Sequence, residues 1–522
     1  MERKWWTLIA VSVAIFMLLL DITVVNVALP DIQRSLHSSF SDLQWVVNAY
    51  ALTLAAFLLT SGSVADLIGR KRVFITGLFV FTGASALCGL STSPLMLNLA
   101  RAVQGTGGAM MFATSLALIA QAFHGRARGT AFGVFGAVTG AAVAVGPVLG
   151  GVITSGIGWK WIFFVNVPIG AIAVFVTLTQ VADSRDPNAK GVDWAGLLTF
   201  SASLFLLVYA LVQGNEKGWG STEIVSLLIA AALLLVAFVL VEQVQRRPML
   251  DLALFRRPAF AGASLVAFAL SGSFFAMFLY LTLYIQDVLG YSPLQAGLRF
   301  LPTTLLSFAV APVAGRLSVR VPVRLLLGSG LVLVGAGLLT FTTLDASSRW
   351  TVLIPGFVLA GAGVGLVNPP LASAAIGVVP HERSGMASGI NSTFRQVGIA
   401  TGIAGLGAVF QHSVTHGTTA ALLAGGHARA VLSAAHGRLG TLLESGEVTK
   451  IARSLSPAAR TALDHSYRVG FTGAFTTIAT IAAMLALVGA LIAFALVRSR
   501  DFVASGDAPA ARERETMATA AG

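Results

Sequence analysis

A carboxylate inside an apolar run is the first residue in this sequence that could do chemistry. Asp21 sits in Leu20-Asp21-Ile22-Thr23-Val24-Val25-Asn26-Val27-Ala28-Leu29-Pro30. A charge at that depth in a bilayer costs a few kcal/mol, so such residues face a cavity or a partner and often carry protons. A structural ion pair is the plainer alternative. Arg101, in Leu99-Ala100-Arg101-Ala102-Val103-Gln104-Gly105-Thr106-Gly107-Gly108, is the candidate partner. At 1.5 Å per residue, Asp21 lies about 12 Å from the outer end of its helix and Arg101 about 9 Å. The depths agree within a turn.

Three other groups of residues are placed to act. Gly62-Ser63-Val64-Ala65-Asp66-Leu67-Ile68-Gly69-Arg70-Lys71-Arg72 joins the second and third apolar runs. A turn with topogenic charges accounts for most of it, while a carboxylate such as Asp66 can latch onto another helix's N-terminal dipole. Gly136, Gly140, Gly146-Pro147, Gly150 and Gly151 crowd one run. Glycines four apart admit close helix approach, and Pro147 removes a backbone donor, so a kink is expected. For a loosely specified binding cavity the candidates are Trp45, Asn48, Tyr50, Met110, Phe274, Phe278, Tyr280, Asn391, Phe394 and Arg395. Aromatic and methionine side chains suit such binding.

The elements that must position these residues follow from composition. The chain has 522 residues, 56% hydrophobic and 11% charged, with mean hydropathy +0.83. Soluble domains carry about 25% charged residues, so soluble enzymes, nucleic-acid binders and disulfide scaffolds are excluded. Fourteen apolar stretches can be marked, at 8–29, 45–65, 73–90, 95–120, 130–154, 161–181, 194–212, 222–241, 259–286, 296–318, 323–343, 350–376, 385–411 and 471–497. The first has a basic start like a signal peptide, but its length and lack of a cleavage site make it a retained span. Basic residues cluster on alternate loops, among them Arg70-Lys71-Arg72, Arg246-Arg247, Arg256-Arg257 and Arg316/Arg320/Arg324. The short opposite loops hold Arg34, Lys160, Lys217 and Arg349. This asymmetry explains the net charge of +12 and puts both termini in the cytoplasm.

An internal repeat divides the chain. At an offset of 256, Gly105, Gly107, Gly129, Ala131, Gly133, Gly146 and Gly151 map onto Gly361, Gly363, Gly385, Ala387, Gly389, Gly402 and Gly407. Two six-span halves with spans seven and eight inserted between them fit this pattern. Met277 and Phe357 stand at the positions related to Asp21 and Arg101. The charged pair therefore belongs to one half alone, which favours function over scaffold.

The expected units are residues 1–182, a first bundle; 183–257, the inserted spans and linkers; 258–500, a second bundle with a long external loop at 412–470; and 501–522, a disordered tail. Ser456-Pro457 reads as a helix start within the loop. His412, His416, His427, His436 and His465 lie there without a diagnostic metal spacing, so a solvated hairpin is expected and no metal. Cys88 is the lone cysteine and precludes an internal disulfide.

These motifs together resemble the major facilitator superfamily, specifically its fourteen-span drug:proton antiporters of the QacA/EmrB type. Gly62 to Arg72 resembles the family's loop motif, Arg101 to Gly108 its fourth-span motif, and Gly146-Pro147-Val148-Leu149-Gly150-Gly151 its antiporter motif. Leu20 to Pro30 is similar to the first-span signature, and Trp159 to Gly170 to the entry into span six. Tyr284-Ile285-Gln286, Gly297-Leu298 and Leu301-Pro302 also fit. The resemblance implies an all-α polytopic membrane protein with the major facilitator fold, two six-helix bundles plus two inserted helices. It also implies that Asp66 gates the cytoplasmic side against the helix start at 380–385, and that Asp21 and Arg101 couple protons.

The expected function is proton-driven export of hydrophobic or amphipathic drugs across the cytoplasmic membrane. An exporter of an endogenous metabolite or lipid, and a non-transporting sensor on the same fold, are the alternatives. No nucleophile–base constellation marks an enzyme, and no Gly-x-x-x-x-Gly-Lys-Ser/Thr segment marks ATP use. The expected partners are a small-molecule substrate, protons and the bilayer, with no cofactor, no nucleic acid and a monomeric state. Late spans lack extra carboxylates, so a strictly dicationic substrate is disfavoured, and Arg299 and Arg395 suit an anionic group or a structural role. An excess of 28 Arg over 6 Lys points to a GC-rich bacterial genome.

Overall fold

A computed structural model describes residues 2–123, 125–185, 191–245, 248–318, 320–379, 384–424, 431 and 455–498. Its architecture is fourteen helices, each long and apolar enough to cross a membrane. We number them α1 (Arg3–Leu36), α2 (Phe40–Ile68), α3 (Arg70–Leu90), α4 (Pro94–Ala122), α5 (Thr130–Ile157), α6 (Trp161–Gln180) and α7 (Trp194–Lys217). There follow α8 (Thr222–Val244), α9 (Pro258–Val288), α10 (Pro293–Leu317), α11 (Val323–Thr343), α12 (Trp350–Ala375), α13 (Met386–Ala424) and α14 (Pro457–Leu496). No strand occurs among the described residues. Serine starts many of these helices, because its hydroxyl accepts a backbone N–H left free in the first turn. Ser39 and Ser292 form capping boxes with Asp42 and Gln295, and Ser93 and Ser456 cap just ahead of prolines.

Helices α1–α6 and α9–α14 form two six-helix bundles. In the first, α2 and α3 pack on α4, and α5 on α1. In the second, α10 and α11 pack on α12, and α13 on α14. The inserted helix α7 lies against α2 and α13, along one seam between the bundles, and α8 covers α7. Arg3 and Leu496 share one end of the molecule, termed here the terminal end; the opposite end is the far end.

The repeat is visible as close approaches. A Cβ on Gly105 would lie 3.1 Å from the Tyr50 carbonyl carbon of α2, and one on Gly361 2.9 Å from Thr303 Cα of α10. Gly107 meets α3 at Phe81, and Gly363 meets α11 at Val334. Gly146 abuts Thr23 of α1, with 2.6 Å to its Cβ, and Gly402 abuts Gly272 of α9, with 2.7 Å to its Cα. Each half thus uses the same glycines to bring the same pairs of helices together.

One expectation changes. The long loop expected at 412–470 is shorter, because α13 continues to Ala424 and α14 begins at Pro457. Polar side chains can stay helical beyond a bilayer, so hydropathy marks the membrane limit and not the helix end. In the segment between them, only residues 431, 455 and 456 are described, so His427 and His436 fall outside the described residues, as does the expected tail. The helix of span five passes through Pro147 without interruption. Helix α9 departs from regular α geometry in two π-turns, at Ser271–Phe275 and Tyr284–Val288.

Candidate functional site

The structure joins Asp21 and Arg101 in a sealed site between α1 and α4. Asp21 Oδ2 accepts from Arg101 Nη1, and Gln104 Nε2 donates to Oδ1 at 2.9 Å. Arg101 Nη1 also reaches Gln104 Oε1 at 2.8 Å, and its Nε donates to the Val46 carbonyl of α2 at 3.0 Å. The guanidinium lies 4.3 Å from the centre of the Tyr50 ring, with Phe163 on a further side at 5.8 Å. Arg101 is 1% exposed, Asp21 3% and Gln104 0%. A buried charge pair is tolerated only when its remaining lone pairs and protons are satisfied, and Gln104, Val46 and Tyr50 do that here.

Gln104 is a further member of the site, with no role expected from the sequence. Its signal was present: a polar residue three positions after Arg101 shares its helix face. The Val46 carbonyl and Phe163 had no such signal. Tyr50, expected in a substrate cavity, packs against this site.

The loop motif turns back on its own bundle. Asp66 Oδ1 accepts from Arg70 Nε and Nη2 at 3.0 and 2.8 Å. Arg70 N donates to Ser184 O, Lys71 Nζ to Leu178 O, and Arg72 pairs with Asp183. Gly69 needs its freedom, with φ +119° and Asp183 Oδ1 2.7 Å from where a Cβ would sit. The partner expected for Asp66 at 380–385 falls largely outside the described residues: 380–383 wholly, and 384–385 for their side chains.

The antiporter-motif helix divides into two parts. Gly146 and Gly150 press on α1 at Thr23 and Val24, one turn from Asp21. Gly151 touches Pro293 and Leu294 of α10, across the seam between bundles. Gly140 faces Phe308, with 3.5 Å from its Cβ position, while Gly136 and Gly62 meet nothing within 4 Å.

The residues expected to line a cavity make varied contacts. Trp45 packs on Phe205 and Tyr209 of α7. Phe274, Phe278 and Phe300 stack within the second bundle, where Phe300 meets Phe357. Tyr280 donates to the Ile403 carbonyl at 2.6 Å, Asn391 to Ala263 O, and Phe394 packs on Phe255. Asn48 is buried with both amide atoms unpartnered, and Met110 is half-buried. Arg395 is half-buried and donates to Asn368 Oδ1 at 2.8 Å. Arg299 lies over Tyr291, 3.4 Å from the ring centre, and beside Trp350, a structural clamp. Periodicity shows that an aromatic lies on a helix but not which neighbour it meets. A recess does exist at the far end, lined by Phe40, Phe410, Tyr467, Phe471 and Asp287 among others, and it contains none of the ten expected residues.

The Major Facilitator Superfamily model matches residues 11–403. The chain belongs to this superfamily. It is 39% identical over 404 residues to the multidrug resistance protein Stp of Mycobacterium tuberculosis, covering 77% of this chain and 75% of that one. It is 37% identical over 428 residues to the puromycin resistance protein pur8 of Streptomyces alboniger, covering 81% and 84%. Among solved structures, a bacterial homologue of the human lysosomal transporter Spinster, inward-facing and occupied, shares the fold. That match has TM-score 0.60 and 16% identity, covering 96% of this chain and 98% of that one. A multi-pass membrane protein of a transporter superfamily is therefore established.

Proposed function

We propose that this protein exports hydrophobic or amphipathic small molecules from the cytoplasm in exchange for protons, by alternating access. Support for the cargo comes from relatives named for drug and antibiotic resistance. Support for the coupling comes from one observation above the rest, the fully buried Asp21–Arg101–Gln104 cluster, which occurs in one bundle only.

The geometry suggests how a proton acts. As a carboxylate, Asp21 offers acceptors to donors on Arg101 and Gln104. Protonation turns one acceptor into a donor and removes the charge, so these donors lose a full set of partners. Arg101 also grips the α2 backbone at Val46, two residues from Gln44. Gln44 Nε2 in turn donates across the seam to Ile403 O of α13 at 2.9 Å. Loosening the cluster thereby reaches a hydrogen bond between bundles.

The polar seam contacts favour an inward-facing reading, while α2 and α13 also meet in the terminal half, where Leu59 abuts Gly389. Gln286 of α9 donates to Val27 O of α1 at 2.7 Å, and Leu294 N to Ser155 Oγ at 3.0 Å, all in the far half. Towards the terminal end, Gly133 and Gly136 of α5 face open space. With both termini cytoplasmic, as basic-loop asymmetry indicates, the open end faces the cytoplasm. Asp21 would take its proton from outside in the opposite conformation, release substrate, then return the proton inside. Arg395, whose described partner is the neutral Asn368, is a candidate to meet a polar or anionic group on the substrate.

Inverted membrane vesicles test the reading. With a proton gradient imposed, wild-type vesicles should accumulate a fluorescent amphipathic cation, and Asp21→Asn vesicles with equal protein should not. Absence of accumulation by the wild type would move the cargo towards an endogenous or anionic molecule; accumulation by both would remove Asp21 from coupling.

A further inference from the structure

A pair of buried acids lies apart from the Asp21–Arg101 cluster, on the inserted helices. Asp193, the N-cap of α7, is 4% exposed, and Glu242, near the end of α8, is 3% exposed. Each has one oxygen engaged by polar donors. Asp193 Oδ1 accepts Gly196 N–H at 2.8 Å and Gln245 Nε2 at 3.0 Å, and Glu242 Oε2 accepts Leu250 N–H at 3.2 Å. The other oxygens, Asp193 Oδ2 and Glu242 Oε1, are buried and have no partner.

Those two orphan oxygens converge. A Cβ on Gly196 would lie 2.6 Å from Asp193 Oδ2 and 2.7 Å from Glu242 Oε1. Both border the space that this glycine leaves open. Two carboxylates at such range, out of water, cannot both stay ionised without a cation. Among the described residues no cation pairs with either. Among the described residues of the packed linker, the charged neighbours are Asp251, which accepts Ala253 N–H, and Arg256 and Arg257; Arg246 and Arg247 of the same linker lie outside the described residues. Arg257 donates to the Val378 carbonyl of the second bundle, and neither arginine forms an ion pair with Asp193 or Glu242.

We infer that Asp193 and Glu242 form a proton-binding site, in which one shared proton joins Asp193 Oδ2 to Glu242 Oε1. With that proton, one acid donates and the other accepts, so both orphan oxygens are satisfied by a single charge-assisted hydrogen bond. Without it, like charges push the start of α7 from the end of α8.

Position gives the site its consequence. Leu250, tethered to Glu242, and Met249 belong to the linker that leads into α9. Met249 packs with Leu59 of α2, Leu197 of α7, Phe238 of α8, and Val378 and Ile390 of the second bundle. The pair therefore ties the inserted hairpin to the terminal-end junction of both bundles. Loss of the proton in alkali loosens that junction, which makes the hairpin a proton sensor on the terminal side. None of this depends on the transport reading.

Infrared spectroscopy of the purified full chain, in an Asp21→Asn background, tests the inference. A carboxylic-acid C=O band should be present at neutral pH, fade as pH rises, and be missing when Glu242→Gln is added. Glutamine keeps the geometry, since its amide donates to Asp193 and its carbonyl accepts Leu250 N–H. The melting temperature of the Glu242→Gln variant should accordingly match the parent at neutral pH and exceed it in alkali. An infrared band unaltered by Glu242→Gln, or parallel alkaline melting curves, would overturn the shared proton. A melting temperature raised by sodium or potassium chloride over choline chloride, in the parent and not in Glu242→Gln, would replace it with a metal cation.

Discussion

The two bundles share one scaffold and differ in what it holds. Gly146 and Gly402 each bring the fifth helix of a half onto its first, at Thr23 and Gly272. Gly151 and Gly407 each meet the opposite bundle, at Leu294 and at Gln44, with 2.8 Å to Cα and Cδ respectively. Yet the position of Asp21 is Met277 in the second half, and that of Arg101 is Phe357. Phe357 lies between Phe300 and Phe341, and Met277 is fully buried. The same geometry thus encloses a charged cluster on one side and an aromatic one on the other. Packing is duplicated; ionisable chemistry is not.

The largest expected break in that comparison is Arg101→Ala. Stripping the partner from a buried carboxylate destabilises by about 3–5 kcal/mol, read as a lower melting temperature of the solubilised protein. Adding Asp21→Asn should recover much of the loss, because the stranded charge goes. Phe357→Ala in the other half should cost a similar amount, about 3–5 kcal/mol through its cavity, with no rescue by any change at Met277. Rescue in both halves, or in neither, would erase the distinction.

Smaller changes sharpen the common scaffold. Gly146→Val and Gly402→Val should each destabilise by about 1–3 kcal/mol through overpacking. Clearly unequal losses would mean that the seams are not equivalent. In the loop motif, Gly69→Ala should cost about 1–3 kcal/mol for its left-handed backbone, and Gly62→Ala should stay within about 0.5 kcal/mol. Equal effects at the two would contradict the assignment of Gly69 alone to a conformational role.

Much of this was legible in the sequence because bilayers impose strong rules. Fourteen apolar runs became fourteen helices, and the matched depths of Asp21 and Arg101 preceded their contact. Less legible was anything that depends on which side of a helix a residue faces. Trp45 meets α7 and Phe394 meets Phe255, because an all-round apolar helix carries no stripe to orient it. Asp66 was read against a distant helix start, and its hydrogen bonds among the described residues go to Arg70, four positions on. Glu242 stands one residue past the apolar run 222–241, and nothing in the sequence marks it as buried. Only the position of Asp193 across from it reveals a buried pair. Gln104 shows the opposite case, a residue whose spacing from Arg101 already contained its role.

The central claim is that the one-sided charged cluster couples protons to movement of cargo. Proteoliposomes holding wild-type or Asp21→Asn protein separate coupling from transport, using a fluorescent amphipathic cation. The account predicts that the variant still exchanges internal for external substrate at equal concentrations, yet loses accumulation against a concentration gradient when a proton gradient is imposed. Undiminished proton-driven accumulation by Asp21→Asn would contradict it.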